Sequence, residues 1–246
     1  MKDILFQNVM PALDAATESN DLKAVCEKFC ELFGFEYYIF AVCNVTSLSA
    51  PEISALSNYP DEWFKSYFSE EMQKHDPVVK YCFDNTAPVR WDKLLSMPQY
   101  LDEVGVKIIQ RAAEMGLVNG LSIPLKAPNG RICIFSLASA IPENLENRLN
   151  DVLPIAQTFS SMLFDTSIRL GLAQDDQKES SLTAREVECL FWACEGKTAW
   201  EISKILDVSE RTIIFHLTSA TKKLGAVNRQ HAVAKAIIGG LIKPTP

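Results

Sequence analysis

The sequence predicts an α+β protein in two parts, an N-terminal α/β/α sandwich and a C-terminal all-α four-helix domain with a helix-turn-helix. Three observations lead there. Aromatic and β-branched runs in the first part are flanked by helix-period patterns, and a sheet so flanked is covered on both faces. From Leu182 onward only short helical patterns occur, opened by Ser or Thr caps. Charge divides at the same place: residues 1–170 carry 14 basic and 22 acidic side chains, 171–181 one and three, 182–246 nine and six, so −8, −2 and +3 make the net −7. The implied domains are 1–170, a linker at 171–181 and 182–246.

Leu22, Val25, Cys26, Phe29, Leu32 and Phe33 repeat at helical spacing after Asn20-Asp21, and Gly34 stops them. Phe35 to Val45 is aromatic and β-branched and reads as a strand, as does Ile53 to Leu56. Pro60 suits the first turn of a helix expected from Asp61 to Met72, with Trp63 and Tyr67 on one face. Val78 to Phe83 and Val104 to Met115 read as helices, the latter ended by Gly116. Between Asn119 and Ala138 two apolar runs flank Pro128-Asn129-Gly130, a hairpin signal. Alternation puts Ile132, Ile134, Ser136 and Ala138 on one strand face. One long helix is expected from Pro142 to Leu170, and Ala173 to Ser181 reads as linker.

In the second part, Thr183 with Glu186 and Thr198 with Glu201 have capping-box spacing. Val187, Leu190, Phe191 and Cys194 are the expected buried stripe of the first helix, closed by Gly196. Ile202, Ile205 and Leu206 follow, Asp207-Val208 turns, and Ser209 caps a helix from Glu210 to about Leu224. A fourth helix is expected from His231 to Ile238.

Composition excludes several classes. Hydrophobic residues make up 48%, and no apolar run approaches the roughly 18 residues that span a bilayer, so a soluble, cytoplasmic protein without a membrane partner is expected. The seven cysteines contain no Cys-x-x-Cys pair, and the three histidines lie far apart, so neither a disulfide framework nor a metal site is expected. Cys26 and Cys30 are expected to pack as small hydrophobes. His75 adjoins Asp76, but no Ser or Cys sits in a nucleophile motif, so the chain is read as no enzyme, with no cofactor.

Leu182 to Ile242, through Glu186, Leu190, Gly196, Glu-Ile-Ser-Lys-Ile-Leu at 201–206 and Ser-Glu-Arg-Thr-x-x-Phe-His at 209–216, resembles the DNA-binding domain of LuxR-type quorum-sensing regulators. The resemblance implies a helix-turn-helix at about 198–217 whose third helix enters the major groove. It gives Ile214, Phe215 and Thr218 the base-facing positions, while the helical offset turns Ile213 and Leu217 to the core. Lys197, Thr198, Arg211, Thr212, Lys222, Lys223 and Arg229 are candidates for phosphate contacts, which set register rather than sequence.

Asn58-Tyr59-Pro60, Trp63, Tyr67, Asp76-Pro77, Trp91 and Gly120 occur in the order and near the intervals of the same family's acyl-homoserine-lactone domain. The implied ligand is an N-acyl-homoserine lactone. It has two carbonyl acceptors, one amide donor and an apolar chain, so its site needs donors, one acceptor and an apolar wall. The Trp63 indole suits the lactone carbonyl, Asp76 the amide N–H, and Tyr59 and Ser136 the acyl carbonyl. Tyr67, Val78, Trp91, Ile39, Ala41, Ala55, Ile108, Ala112 and Leu117 are the other pocket positions that the resemblance carries over. Val78 replaces a hydroxyl residue of relatives, which leaves a 3-oxo group on the chain with less to bind.

The expected protein is therefore a lactone-responsive transcription activator that binds double-stranded promoter DNA as a homodimer, with RNA polymerase as a further partner. A repressor released from DNA by lactone is the alternative within the family. A phosphorylation-controlled response regulator shares the output domain, but the strand from Phe35 ends at Cys43-Asn44 without a receiver's acidic cluster.

Overall fold

The computed structural model describes residues 7, 9–44, 51–127, 130–172 and 182–243. The chain divides into two compact units, one of 1–43, 53–126 and 132–173, the other of 44–52, 127–131 and 174–246. The expected linker from residue 173 to 181 and the turn residues Pro128 and Asn129 lie outside the described residues.

The first unit opens with α1 (Met10–Ala15) and α2 (Ser19–Phe33), then β1 (Tyr37–Asn44), β2 (Glu52–Ser57) and α3 (Asp61–Ser69). A 3₁₀ turn (Met72–Lys74), α4 (Pro77–Asp84), β3 (Val89–Arg90), α5 (Trp91–Leu94) and α6 (Glu103–Glu114) follow. It closes with β4 (Asn119–Lys126), β5 (Ile132–Ser139) and α7 (Leu145–Arg169). The five-stranded sheet has the order β2-β1-β5-β4-β3, with β5 antiparallel to both β1 and β4.

Register assigns the two faces. Residues paired across antiparallel strands share a face. Ile39, Ser136 and Ser122 therefore make one row, Ala41, Ile134 and Pro124 the next, and Tyr37, Ala138 and Gly120 a third. These rows meet the layer of α3, α4, α5 and α6: Ala138 packs with Trp63 and Ile108, and Ile134 with Tyr81 and Leu94. On the opposite face Phe135 packs edge-on to Phe29 of α2 and tilted against Phe159 of α7, which stack on each other at 4.0 Å. Strand β5 is buried on both sides, so the sandwich has three layers. Cys26 and Cys30 lie in the core, as expected.

Some boundaries differ from the sequence reading. The helix expected to begin after Asn20-Asp21 begins at Ser19, because the Asp21 carboxylate reaches back to the N–H groups of Thr17 and Glu18 at 2.7 and 3.1 Å. Pro60 is the N-cap rather than a first-turn residue. The helix expected to reach Met72 stops at Ser69, since Glu71 is left-handed (φ 53°) and breaks the ladder. The long helix starts at Leu145, not Pro142. Short α1 and the β3–α5 pair have no counterpart in the sequence reading.

The second unit contains α8 (Ala184–Cys194), α9 (Ala199–Ile205), α10 (Glu210–Lys223) and α11 (Arg229–Ile238). Both expected capping boxes form, Thr183 with Glu186 and Thr198 with Glu201. Leu190, Ile202, Ile213, Leu217, Ala232 and Ala236 are among its core residues. The buried stripe of α8 is rotated from expectation: Glu186, Cys189 and Leu190 are buried, Val187 and Phe191 half-buried, and Cys194 exposed. Ile205 is likewise exposed. The rotation follows from Glu186, whose carboxylate turns inward to partners on α10. No helix among the described residues is long and apolar enough to cross a membrane.

Candidate functional site

Two loops and a sheet face deliver the polar groups of the N-terminal site. Asn58 clamps the end of β2 to β1: its Oδ1 accepts from Tyr38 N–H at 2.7 Å and its Nδ2 donates to Glu36 O at 2.9 Å. Tyr59 N–H donates to Ser57 Oγ at 3.0 Å. These bonds fix Tyr59 at the entrance to α3, one turn before Trp63.

Trp63 and Tyr67 follow on one face of α3, with ring centroids 5.6 Å apart. The break after α3 brings the chain back, and Asp76 meets Tyr67. Asp76 Oδ2 accepts from Tyr67 Oη at 2.6 Å, while Oδ1 caps α4 by accepting from Val78 N–H at 2.7 Å. Asp76 is thus both a helix cap and an acceptor aimed between helices. Gly105 allows this turn to pack closely, because a Cβ there would lie 2.9 Å from Pro77 Cγ and 3.3 Å from His75 O.

Trp63, Ile108 and Leu117 form one buried cluster, against which Tyr59, Tyr67, Trp91 and Ala112 pack. Ile39 and Ala41 lie on the same sheet face through their pairing with Ser136 and Ile134. Val78 packs in the adjoining cluster around Ile134, Tyr81 and Cys82. Ala55 is half-buried on β2. The set expected from sequence therefore converges largely on one region, between the sheet and α3 to α6.

The indole N–H of Trp63, a residue only 5% exposed, and the hydroxyl of Tyr59 make no hydrogen bond among the described residues. Burial pushes both tyrosine hydroxyls, Tyr59 and Tyr67, far up, and the nearby Asp76 charge adds to it. Burial also raises the Asp76 carboxyl, against bonds from Tyr67, Val78 and Val79 that lower it. Yet Tyr59, Tyr67 and Asp76 each keep accessible surface.

Ser122, absent from the sequence reading, completes the polar set. Trp91 Nε1–H donates to Ser122 Oγ at 2.9 Å, and Ser122 Oγ and Ser136 Oγ are 2.7 Å apart. The Trp91 ring lies over Gly120, where a Cβ would sit 3.0 Å from Trp91 Cδ2 and Cε2. Only the strand register pairs Ser122 with Ser136, so no local spacing signals it. The region offers two unpartnered donors, one held carboxylate acceptor and a hydroxyl chain.

In the second unit, α10 divides as the helical offset requires. Ile213 and Leu217 are buried, whereas Ile214 and Phe215 are 52% and 66% exposed, with Thr218 exposed beside them. Ile214 and Thr218 line a shallow groove with Ala199, Thr221 and Arg229. Arg211 and Lys222 are exposed and Lys197 half-buried. Thr198 and Thr212 are partly committed to caps, Thr198 to Glu201 and Thr212 to Ser209. Arg229 donates to Lys197 O.

Lys223, also expected among the phosphate contacts, pairs with Glu186 at 2.8 Å and keeps a third of its side chain exposed. Ser219 Oγ donates to the same carboxylate at 2.7 Å. Burial would raise the Glu186 carboxyl, but Lys223, Ser219 and the Thr183 N–H outweigh it and hold it at about 2. Lys223 thus ties α10 to α8.

Comparison with known proteins covers both units. Residues 18–167 match the autoinducer binding domain, and residues 180–236 match the bacterial regulatory proteins of the luxR family. The chain is 35% identical over 237 residues to the transcriptional activator protein AhyR of Aeromonas hydrophila, covering 94% of this chain and 89% of that one. It is 33% identical over 236 residues to the transcriptional activator protein LuxR of Aliivibrio fischeri, with 95% and 93% covered. The crystal structure of Escherichia coli SdiA matches with a TM-score of 0.83 at 22% identity, over 97% of this chain and 98% of that one, a likeness of fold.

Proposed function

Because the chain belongs to the LuxR family of transcription regulators, with an autoinducer-binding domain and a helix-turn-helix domain, we propose that its ligand is an N-acyl-homoserine lactone. One observation carries this reading: the Trp63 N–H and the Tyr59 hydroxyl have no hydrogen-bond partner among the described residues, beside an Asp76 carboxylate already held by Tyr67 and Val78. Donors that reach accessible space with no protein partner are free to meet a ligand, and a lactone amide supplies two carbonyl acceptors.

Trp63 donates to the lactone carbonyl, Asp76 accepts the amide N–H, and Tyr59 and Ser136 donate to the acyl carbonyl. An ionised carboxylate has about four acceptor directions. Tyr67 and Val78 use two of those on Asp76, which leaves room for the amide. The acyl chain runs along Ile39, Ala41, Ala55 and Val78, with Ile108, Ala112 and Leu117 closing the apolar wall. Val78 brings no side-chain donor, which favours a chain without a 3-oxo group. Tyr67 and Trp91 support the polar groups from behind.

The output is activation in the cytoplasm, through a homodimer on partly palindromic promoter DNA, with RNA polymerase recruited there. Ile214, Phe215 and Thr218 enter the major groove. Apolar Ile214 and Phe215 touch thymine methyls but make no bidentate hydrogen bonds, so dimer spacing and DNA shape share in the specificity. Lys197, Thr198, Arg211, Thr212, Lys222 and Arg229 contact phosphates. No residue is assigned a catalytic role.

A thermal-shift titration of the full chain with unsubstituted lactones from butanoyl to dodecanoyl tests the ligand. A ligand at 100 times its Kd stabilises the folded state by about 2.7 kcal/mol, so at least one chain length raises Tm by several degrees. Trp63→Phe, which keeps the ring and removes the N–H, weakens that response about tenfold. No shift with any chain length rejects the lactone.

A further inference from the structure

We infer that Ser122 is a positioning residue that fixes the proton of Ser136 toward an acceptor in the ligand site, an inference that rests on the lactone reading above. Ser122 is wholly buried and Ser136 is 3% exposed, and they sit directly opposite each other on β4 and β5. A serine hydroxyl has one proton and two lone pairs. Trp91 Nε1–H fills one lone pair of Ser122 from 2.9 Å. An indole nitrogen only donates, so the direction of that bond is settled.

Among the described residues, Ser136 Oγ, at 2.7 Å, is the partner of the Ser122 hydroxyl besides Trp91. The reverse bond, from Ser136 to Ser122, would strand the Ser122 proton in a fully buried position, which costs the desolvation of an unsatisfied donor. Hydrogen bonding therefore runs from Trp91 to Ser122 to Ser136. The proton of Ser136 is the free end of the chain, polarised by the two bonds behind it. Ser136 thus meets the ligand as a donor and selects a strong acceptor, a carbonyl oxygen, at that point. Gly120 supports the arrangement by letting the Trp91 ring lie on the strand.

Matched pairs of acyl lactones test this, each pair an oxygen amide and its thioamide of the same chain length. Sulfur accepts hydrogen bonds more weakly and leaves the amide N–H in place. With the purified full chain, Ser122→Ala weakens binding of the oxygen amide about fivefold and of the thioamide less than about twofold. Ser122→Thr restores the preference for oxygen. Trp91→Phe, which removes the donor behind Ser122, also lowers the oxygen-to-sulfur ratio and decides the matter if Ser122→Ala does not fold. Equal losses for both members of a pair, in either variant, overturn the relay while leaving the lactone reading intact. Binding of no pair by the unmodified chain removes the lactone reading and the relay with it.

Discussion

Asp76 serves as a helix cap and as a buried acceptor, and the two roles push its ionisation in opposite directions. Burial raises its carboxyl above the ordinary value of 3.8, while the bonds from Tyr67, Val78 and Val79 lower it, and burial wins. A carboxyl raised in the folded state contributes stability that is fully present below the unfolded value and lost as pH rises through the folded value. The empty site is therefore penalised at neutral pH. An amide N–H from the ligand favours the ionised form, so lactone affinity rises with pH across the window just above 3.8 and falls as Asp76 is protonated. Asp76→Asn lowers affinity roughly tenfold or more and flattens this dependence, as calorimetric titration between pH 4 and pH 7 would record. A wild-type profile as flat as the variant's would exclude Asp76 as the amide acceptor. Asp76 was legible in the sequence through the family order of Asn-Tyr-Pro, Trp, Tyr and Asp-Pro that contains it. Ser122 was not, because its partners are 31 and 14 residues away and only strand register joins them.

At the scale of elements, α10 carries two neighbouring lysines with different work. Lys222 is exposed, and Lys223 is bound to Glu186. Lys222→Ala should reduce the slope of log affinity against log salt by about one on duplex DNA, without loss of stability. An unchanged slope would remove Lys222 from the phosphate contacts. Glu186 has its carboxyl held at about 2, below the ordinary 4.5, so its stabilisation is present above the unfolded value and lost as pH falls from 4.5 toward 2. Glu186→Gln should cost this domain about 1–2 kcal/mol, visible as faster amide exchange in α8 and α10 of the full chain, and should blunt the acid loss. Unchanged exchange would mean that the pair holds nothing together. Capping boxes and the Ile213/Ile214 division were legible because they depend on spacings of one to three residues within a helix. The Lys223 pair spans 37 residues, and the left-handed Glu71 that ends α3 early sits in a polar stretch with no glycine to mark it.

At the scale of the molecule, the charge split of −8 in residues 1–170 against +3 in 182–246 suits a body that does not bind DNA and an end that does. Layer order was readable from strand patterns flanked by helical ones, whereas short α1 and the β3–α5 pair offered too few residues for a period to show. The two units acquire a joint function only if the ligand site controls the α10 surface, a coupling that makes the chain a chemical switch. It is tested most directly by the affinity of the full chain for promoter DNA at fixed salt, with and without the lactone that raises its Tm most. Activation requires the lactone to increase DNA affinity at least tenfold, about 1.4 kcal/mol of coupling, and Trp63→Phe to shift that response to higher lactone concentration. Equal DNA affinity with the site filled and empty would contradict it.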